Sequence, residues 1–210
     1  MTVKRGKIKQ LWKFFIIFFF FFLLIFNWHK LLLLSNYRVF WHNFSLLFTK
    51  NDVGQKEEIP NKANALEIPK IKVSAPLVLG KENDFLKAKE ALDRGVLLYL
   101  GAGLPGEKDK TVVILGHSAP AGWPEIHYDN VFNNLSQLEP GDEVLVYFNQ
   151  KKYAYRVFGK KIFFPKDESE ALKIGESGSF LILITCWPPG KDYQRLAVFA
   201  ELKQEGKENK

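Results

Sequence analysis

The sequence predicts a mainly β domain closed into a barrel, with a few short helices in its connections and one apolar helix ahead of it. Four observations lead there. Beyond residue 65 the apolar runs are short and punctuated by Pro and Gly, as strands are. Helical periodicity surfaces only briefly between them, so the alternation of strand and long helix that a doubly wound sheet requires is missing. There is no internal repeat and no glycine-rich phosphate loop. Finally, residues 11–34 are almost wholly apolar.

That N-terminal stretch is unbroken from residue 14 to residue 26. About 20 apolar residues span a bilayer. The length is reached by including Trp28 and residues 31–34, with Asn27, His29 and Lys30 near the interface. Eight phenylalanines surround every face of the run, which does not suit a core helix with one buried stripe. Cleavage as a signal peptide needs small residues after the run. The chain has no alanine before Ala63, so an uncleaved transmembrane anchor at 11–34 is expected.

Charge orients it. Lys4, Arg5, Lys7, Lys9, Lys13, Lys30, Arg38 and Lys50 lie in residues 1–50, which contain no acid. Removing these eight from the 30 basic residues leaves 22 against the 23 acids of residues 51–210, a net charge of −1. The high isoelectric point thus belongs to the anchor, and a nucleic-acid partner is not expected. The five positive charges before Phe14 place residues 1–10 in the cytoplasm and residues 35–210 outside the cell, with the anchor in the cell membrane between them.

Residues 35–65 read as a juxtamembrane segment and linker. The aromatic and basic part, 35–50, suits an interfacial helix or a continuation of the anchor, and 51–64 is polar without periodicity. The folded domain covers 66–203, followed by a polar tail, 204–210. Strands are expected at 66–69 and 71–79, a helix over 84–94 ended by Gly95, then strands at 96–100 and 111–117. Residues 118–130 form a polar loop and 131–138 a short helix. A hairpin of 143–148 and 151–164 follows, then a brief helix near 168–174. Two apolar strands, 181–186 and 195–200, close the domain around a Pro/Gly loop.

Chemistry concentrates at three strand ends. Cys186, the one cysteine, ends Leu181-Ile182-Leu183-Ile184-Thr185-Cys186. Arg195 opens the next strand, so a hairpin brings thiol and guanidinium to the same end of a sheet. His117 closes Thr111-Val112-Val113-Ile114-Leu115-Gly116-His117. A lone cysteine is often an inert core residue. Outside a membrane an unpaired thiol has no disulfide to make, and its place at a strand end points to a nucleophile. His29, His42, His127, Arg94 and Arg156 read as ordinary solvated residues. Trp187, Pro188 and Trp123 suit either the walls of a groove near the thiol or plain loop packing. Acidic clusters with calcium-loop spacing are absent, so neither metal nor cofactor is expected.

With those residues assembled, the domain resembles the sortases, membrane-anchored cysteine transpeptidases of bacterial surfaces. The resemblance runs over most of 66–202. It is carried by Ile68-Pro69-Lys70-Ile71, by Val113-Ile114-Leu115-Gly116-His117-Ser118, and by Ile184-Thr185-Cys186 with Arg195. Residues 95–99 and Pro105-Gly106-Glu107 also fit. The cysteine strand departs from the commoner Thr-Leu-x-Thr-Cys. The eight residues between Cys186 and Arg195 resemble the class often called E.

The resemblance implies an eight-stranded barrel. It implies cleavage of secreted proteins at a Leu-Pro-x-Thr-Gly-like C-terminal sorting signal, between Thr and Gly. The acyl group would pass to an amine of a cell-wall precursor or a pilin lysine. Cys186 would be the nucleophile, His117 the acid and base, and Arg195 the oxyanion partner. Thr185, Ser118, Trp187 and Trp123 would contact substrate. Two other readings stay open: a cysteine hydrolase using water, and a membrane-tethered binding module with an inert thiol.

Overall fold

A period of two in the apolar residues organises the domain. The computed structural model describes residues 5–27, 39–41, 44, 64–80, 85–173 and 178–203. These belong to two units, residues 1–53 and 54–210.

In the first unit, helix α1 spans Arg5–Phe26 and closes at Asn27, whose amide side chain donates to the Leu23 carbonyl at 2.8 Å. The helix begins inside the basic segment because Lys, Arg and Gln are good helix formers. Its apolar side chains from Leu11 to Phe26 are exposed on all sides. Among the described residues no helix is long and apolar enough to cross a membrane. The described apolar part ends at Phe26, about 24 Å along the axis at 1.5 Å per residue. The expected anchor needs residues 28–34, which lie outside the described residues. Of the juxtamembrane segment, residues 39–41 and 44 are helical, with Phe40 and Phe44 stacked at 6.1 Å between ring centres. The rest of 35–63, the polar tail 204–210 and residues 1–4 also fall outside the description.

In the second unit eight strands close a barrel: β1 (Ala65–Ile68), β2 (Val73–Gly80), β3 (Val96–Tyr99), β4 (Thr111–Leu115), β5 (Glu143–Phe148), β6 (Lys151–Phe163), β7 (Phe180–Trp187) and β8 (Gln194–Leu202). The order around the barrel is β1-β2-β3-β4-β7-β8-β6-β5, and β5 pairs back to β1. Two pairs are parallel, β2 with β3 and β4 with β7. Parallel neighbours need a crossover. Helix α2 (Phe85–Arg94) supplies the first, and the β5–β6 hairpin lies within the second. The short helix α3 (Glu168–Ala171) follows β6.

Side chains of alternate residues take opposite faces of a strand. Val112, Ile114, Leu181, Leu183, Leu196, Val198 and Ala200 join the main core with Phe132, Leu135 and Tyr155. The intervening Ile182, Ile184, Ala197 and Phe199 form a second cluster with Phe163, joined by Val113, Leu115 and Leu172. Strand β7 is therefore buried on both faces, which is why its sequence is a continuous apolar run rather than an alternating one.

Two local expectations shift. Residues 69–71 form a 3-10 turn instead of opening a strand, and Lys72, at φ 53°, accepts the left-handed step that lets β2 begin at Val73. The helix expected over 131–138 is a series of turns ending in a 3-10 helix, Leu135–Gln137. Its buried residues Phe132, Leu135 and Leu138 recur every third position, the period of a 3-10 helix and not of an α-helix. Asn133 also turns its side-chain oxygen to the Ala119 N–H, at 2.7 Å, a competition that disfavours a regular helix.

Candidate active site

The register of three strands assembles the site. Strands β7 and β8 are antiparallel, and Cys186 stands directly opposite Arg195. Strand β4 runs parallel to β7, with Leu115 beside Ile184. Continuing two residues past that pair brings His117 level with Cys186. The ladder extends beyond the strand: the Gly116 N–H donates to the Ile184 carbonyl at 3.1 Å. Alternation then decides the facing. Cys186 follows Ile182 and Ile184, Arg195 precedes Ala197 and Phe199, and His117 follows Val113 and Leu115. All three fall on the face of the second cluster, at one end of the barrel. All three are partly exposed.

Thr185 and Gly116 take the inner face at the same level. Thr185 is 3% exposed, and its hydroxyl donates to the Gly116 carbonyl at 2.8 Å. The Ser118 hydroxyl donates to the Cys186 carbonyl at 2.7 Å. The structure thus places these two expected substrate contacts as ties between the histidine and cysteine strands, with their hydroxyl protons engaged by backbone. Each such bond is worth about 1 kcal/mol, and together they fix the spacing of the segments that carry His117 and Cys186.

Gly116 is required by close approach. A Cβ there would lie 2.4 Å from Cδ2 of Phe132, whose N–H donates to the His117 carbonyl at 2.9 Å. At Gly190, in the hairpin loop, φ is 77° and a Cβ would meet Pro120 at 2.6 Å; its N–H reaches the Ser118 carbonyl at 3.2 Å. The loop after β7 is thereby sewn to the loop after β4.

Arg195 donates from Nη1 to the carbonyls of Asp192, at 2.7 Å, and Gln194, at 3.0 Å. These bonds lay the guanidinium along its own loop. On its other side Arg195 stands opposite Phe163 of β6. Beside that pair is a cavity of about 290 Å³, lined by Lys161, Ile162, Phe163, Phe164, Asp167, Glu170 and Gln194. Trp187, next to Cys186, packs against the main core and precedes a cis bond to Pro188. Trp123 is half-buried and donates from Nε1 to Asp129 at 3.0 Å. Its indole N–H is therefore engaged by a neighbouring carboxylate.

Two residues at this site escaped the sequence reading, Asp93 and Asp129. With His117 they bring one donor atom each within 4.8 Å of one another, the one His/Cys/acid cluster of this kind among the described residues. No spacing pattern distinguishes them among the 23 acids, because α2 and the loop after β4 bring them to His117 through tertiary approach.

A thiol, an imidazole and a guanidinium on one sheet face can carry out acyl transfer: attack, proton exchange with a leaving or entering amine, and oxyanion stabilisation. Comparison with known proteins narrows this. The sortase domain model matches residues 66–203. Sortase D of Bacillus subtilis is 30% identical over 139 residues, covering 66% of this chain and 61% of the relative. Sortase SrtE1 of Streptomyces coelicolor is 25% identical over 154 residues, covering 67% and 40%. The chain therefore spans less than two thirds of the length of either relative. Among solved structures, sortase C-1 from Actinomyces oris superposes with a TM-score of 0.56 at 28% identity, covering 67% of this chain and 73% of that one. Sortase C-1 from Streptococcus pneumoniae gives 0.57 at 26% identity, covering 71% and 70%. With the domain match over most of its length and the barrel that these relatives share, the chain belongs to the sortase family.

Proposed function

We propose that this protein is a cysteine transpeptidase that cleaves a Leu-Pro-x-Thr-Gly-like sorting signal between Thr and Gly and passes the acyl group to an amine. The observation that carries the reading is the register itself: Cys186 faces Arg195 across β7 and β8, and His117 follows the parallel neighbour β4 by two residues, as Cys186 follows Ile184, the partner of Leu115.

In this reaction the Cys186 thiolate attacks the threonine carbonyl carbon. The developing oxyanion is held by the Arg195 fork. The C–N bond to glycine then breaks as His117 protonates the leaving nitrogen, giving a thioester and a free amine. An incoming amine attacks the thioester, loses a proton to His117, and expels the thiolate. The apolar part of the signal would lie in the cavity that Phe163 and Phe164 line. Helix α1, apolar on all sides after a basic lead, supports an anchor with its N-terminus in the cytoplasm and the barrel outside. The substrates would then be secreted proteins with C-terminal sorting signals, and the acceptor a cell-wall precursor or a pilin lysine.

Mass spectrometry of the products from a Leu-Pro-x-Thr-Gly peptide, with and without added amine, tests the reading. A new amide that depends on amine is expected. Free acid alone, in the presence of excess amine, would make the protein a hydrolase instead.

A further inference from the structure

The proposed reaction uses one thiol, one imidazole and one guanidinium, and assigns nothing to the two carboxylates beside the imidazole. Asp93 comes from the last turn of α2 and Asp129 from the loop after β4. His117 Nε2 is shielded from solvent and lies 3.9 Å from Asp93 Oδ1. One oxygen of Asp129 completes the set within 4.8 Å. Asp129 is only 5% exposed, and its Oδ2 accepts the Trp123 indole N–H at 3.0 Å. Two carboxylates this close repel each other, and burial adds to the cost of the Asp129 charge unless the pair shares a positive group. An imidazolium at His117 is such a group, and it sits where both can share it.

We propose that Asp93 and Asp129, the latter pinned by Trp123, are positioning residues that hold His117 with Nε2 inward and stabilise its protonated form. The inference rests on the transpeptidase reading for its use in turnover. Nδ1 is then the nitrogen that exchanges protons. As the incoming amine forms its C–N bond and the C–S bond breaks, the amine proton moves to Nδ1. The resulting imidazolium points its Nε2–H at the carboxylates. Among the described residues, the charged groups placed at the ring are Asp93 from α2 and Asp129 from the loop after β4, with the titratable Cys186 of β7 and the charged Arg195 of β8 paired at the same end of the sheet. A ring left free to rotate would reach the leaving nitrogen in only part of its orientations, so the clamp acts on kcat rather than on KM.

The test uses the full chain in detergent micelles with 13C-labelled histidine, the His117 signal being assigned by its loss in His117→Gln. Asp129→Asn keeps the shape and an acceptor for Trp123 while removing the charge. It is expected to lower the His117 titration midpoint by about half to one pH unit. It should also reduce kcat on a fluorogenic sorting peptide about 10-fold, with KM nearly unchanged. Asp93→Asn, at a half-exposed helix end, should give a smaller shift of the same sign, and carries the test if Asp129→Asn does not fold. An unshifted midpoint overturns the proposal, including where kcat falls together with the melting temperature, since that pattern marks structural damage alone. A His117 signal that titrates only after chelator treatment overturns it too, because an ion would then hold the set. The titration needs no substrate, so a wild-type protein inert on sorting peptides would count against the transpeptidase reading and leave the clamp separately measurable.

Discussion

Gly116→Ala tests how the barrel core holds the histidine. The added Cβ would stand 2.4, 2.5 and 2.9 Å from Cδ2, Cε2 and Cγ of Phe132. Carbon atoms pack at about 3.5–4.0 Å, so something must move by about 1 Å. Phe132 is 1% exposed and belongs to the main core, and the contact involves the near edge of its ring, so the ring cannot simply swing away. Its N–H bond to the His117 carbonyl passes the displacement to the chain end of β4 that carries the imidazole. Overpacking of this kind costs about 1–3 kcal/mol. For a domain of this size that is a fall of about 3–9 °C in melting temperature. A shift of 1 Å in a reacting group can cost about 100-fold in rate, so turnover should drop by about 10- to 100-fold. Thermal unfolding and steady-state kinetics would be read for Gly116→Ala, Phe132→Leu and the double variant. The double variant should be less destabilised than the sum of the singles by about 1 kcal/mol, since the smaller side chain makes room for the methyl. Additive effects with wild-type turnover would refute the coupling of His117 to Phe132.

Other expectations follow from the same geometry. Arg195→Lys should lose about 10²–10³ in kcat, because one ammonium cannot hold the Asp192 and Gln194 carbonyls and also offer a planar fork to the oxyanion; near-normal turnover would reduce Arg195 to a background charge. Lys203, through its hydrogen bond and charge, holds the Glu143 carboxyl below its ordinary value of 4.5. A depressed carboxylate contributes stability above its unfolded value and loses it as pH falls through the folded one. Lys203→Ala should therefore be less stable than wild type above about pH 5, by less than about 1 kcal/mol for a pair this exposed, and equal to it below about pH 3 in thermal unfolding. Protease added to intact cells should release the barrel domain; full-length protein surviving that treatment would argue for the opposite orientation.

Much of the site could be read in the sequence because strands have a period of two. The short connection from Cys186 to Arg195 forces a hairpin, and a hairpin forces the facing pair that the structure shows. The alternation through Val113, Leu115 and His117 likewise sets the imidazole on the face of Ile184 and Cys186. Other features lie beyond local pattern. Thr185 and Ser118 read as substrate contacts from their neighbours in sequence, yet their hydroxyls bond across strands, which only the parallel β4–β7 pairing reveals. Asp93 and Asp129 reach His117 from separate elements and carry no spacing signature. The third-position recurrence of Phe132, Leu135 and Leu138 was available in the sequence, but it differs from a helical period by a fraction of a residue, too little to separate over two turns.

In the proposed reaction Cys186 is the acylated group. Incubating the protein with a Leu-Pro-x-Thr-Gly peptide without amine, quenching in acid and measuring intact mass should show an adduct equal to the peptide through threonine. Fragmentation should place it at Cys186, added amine should discharge it, and Cys186→Ala should never form it while melting as the wild type does. An adduct on another residue, or turnover that persists in Cys186→Ala, would contradict the account.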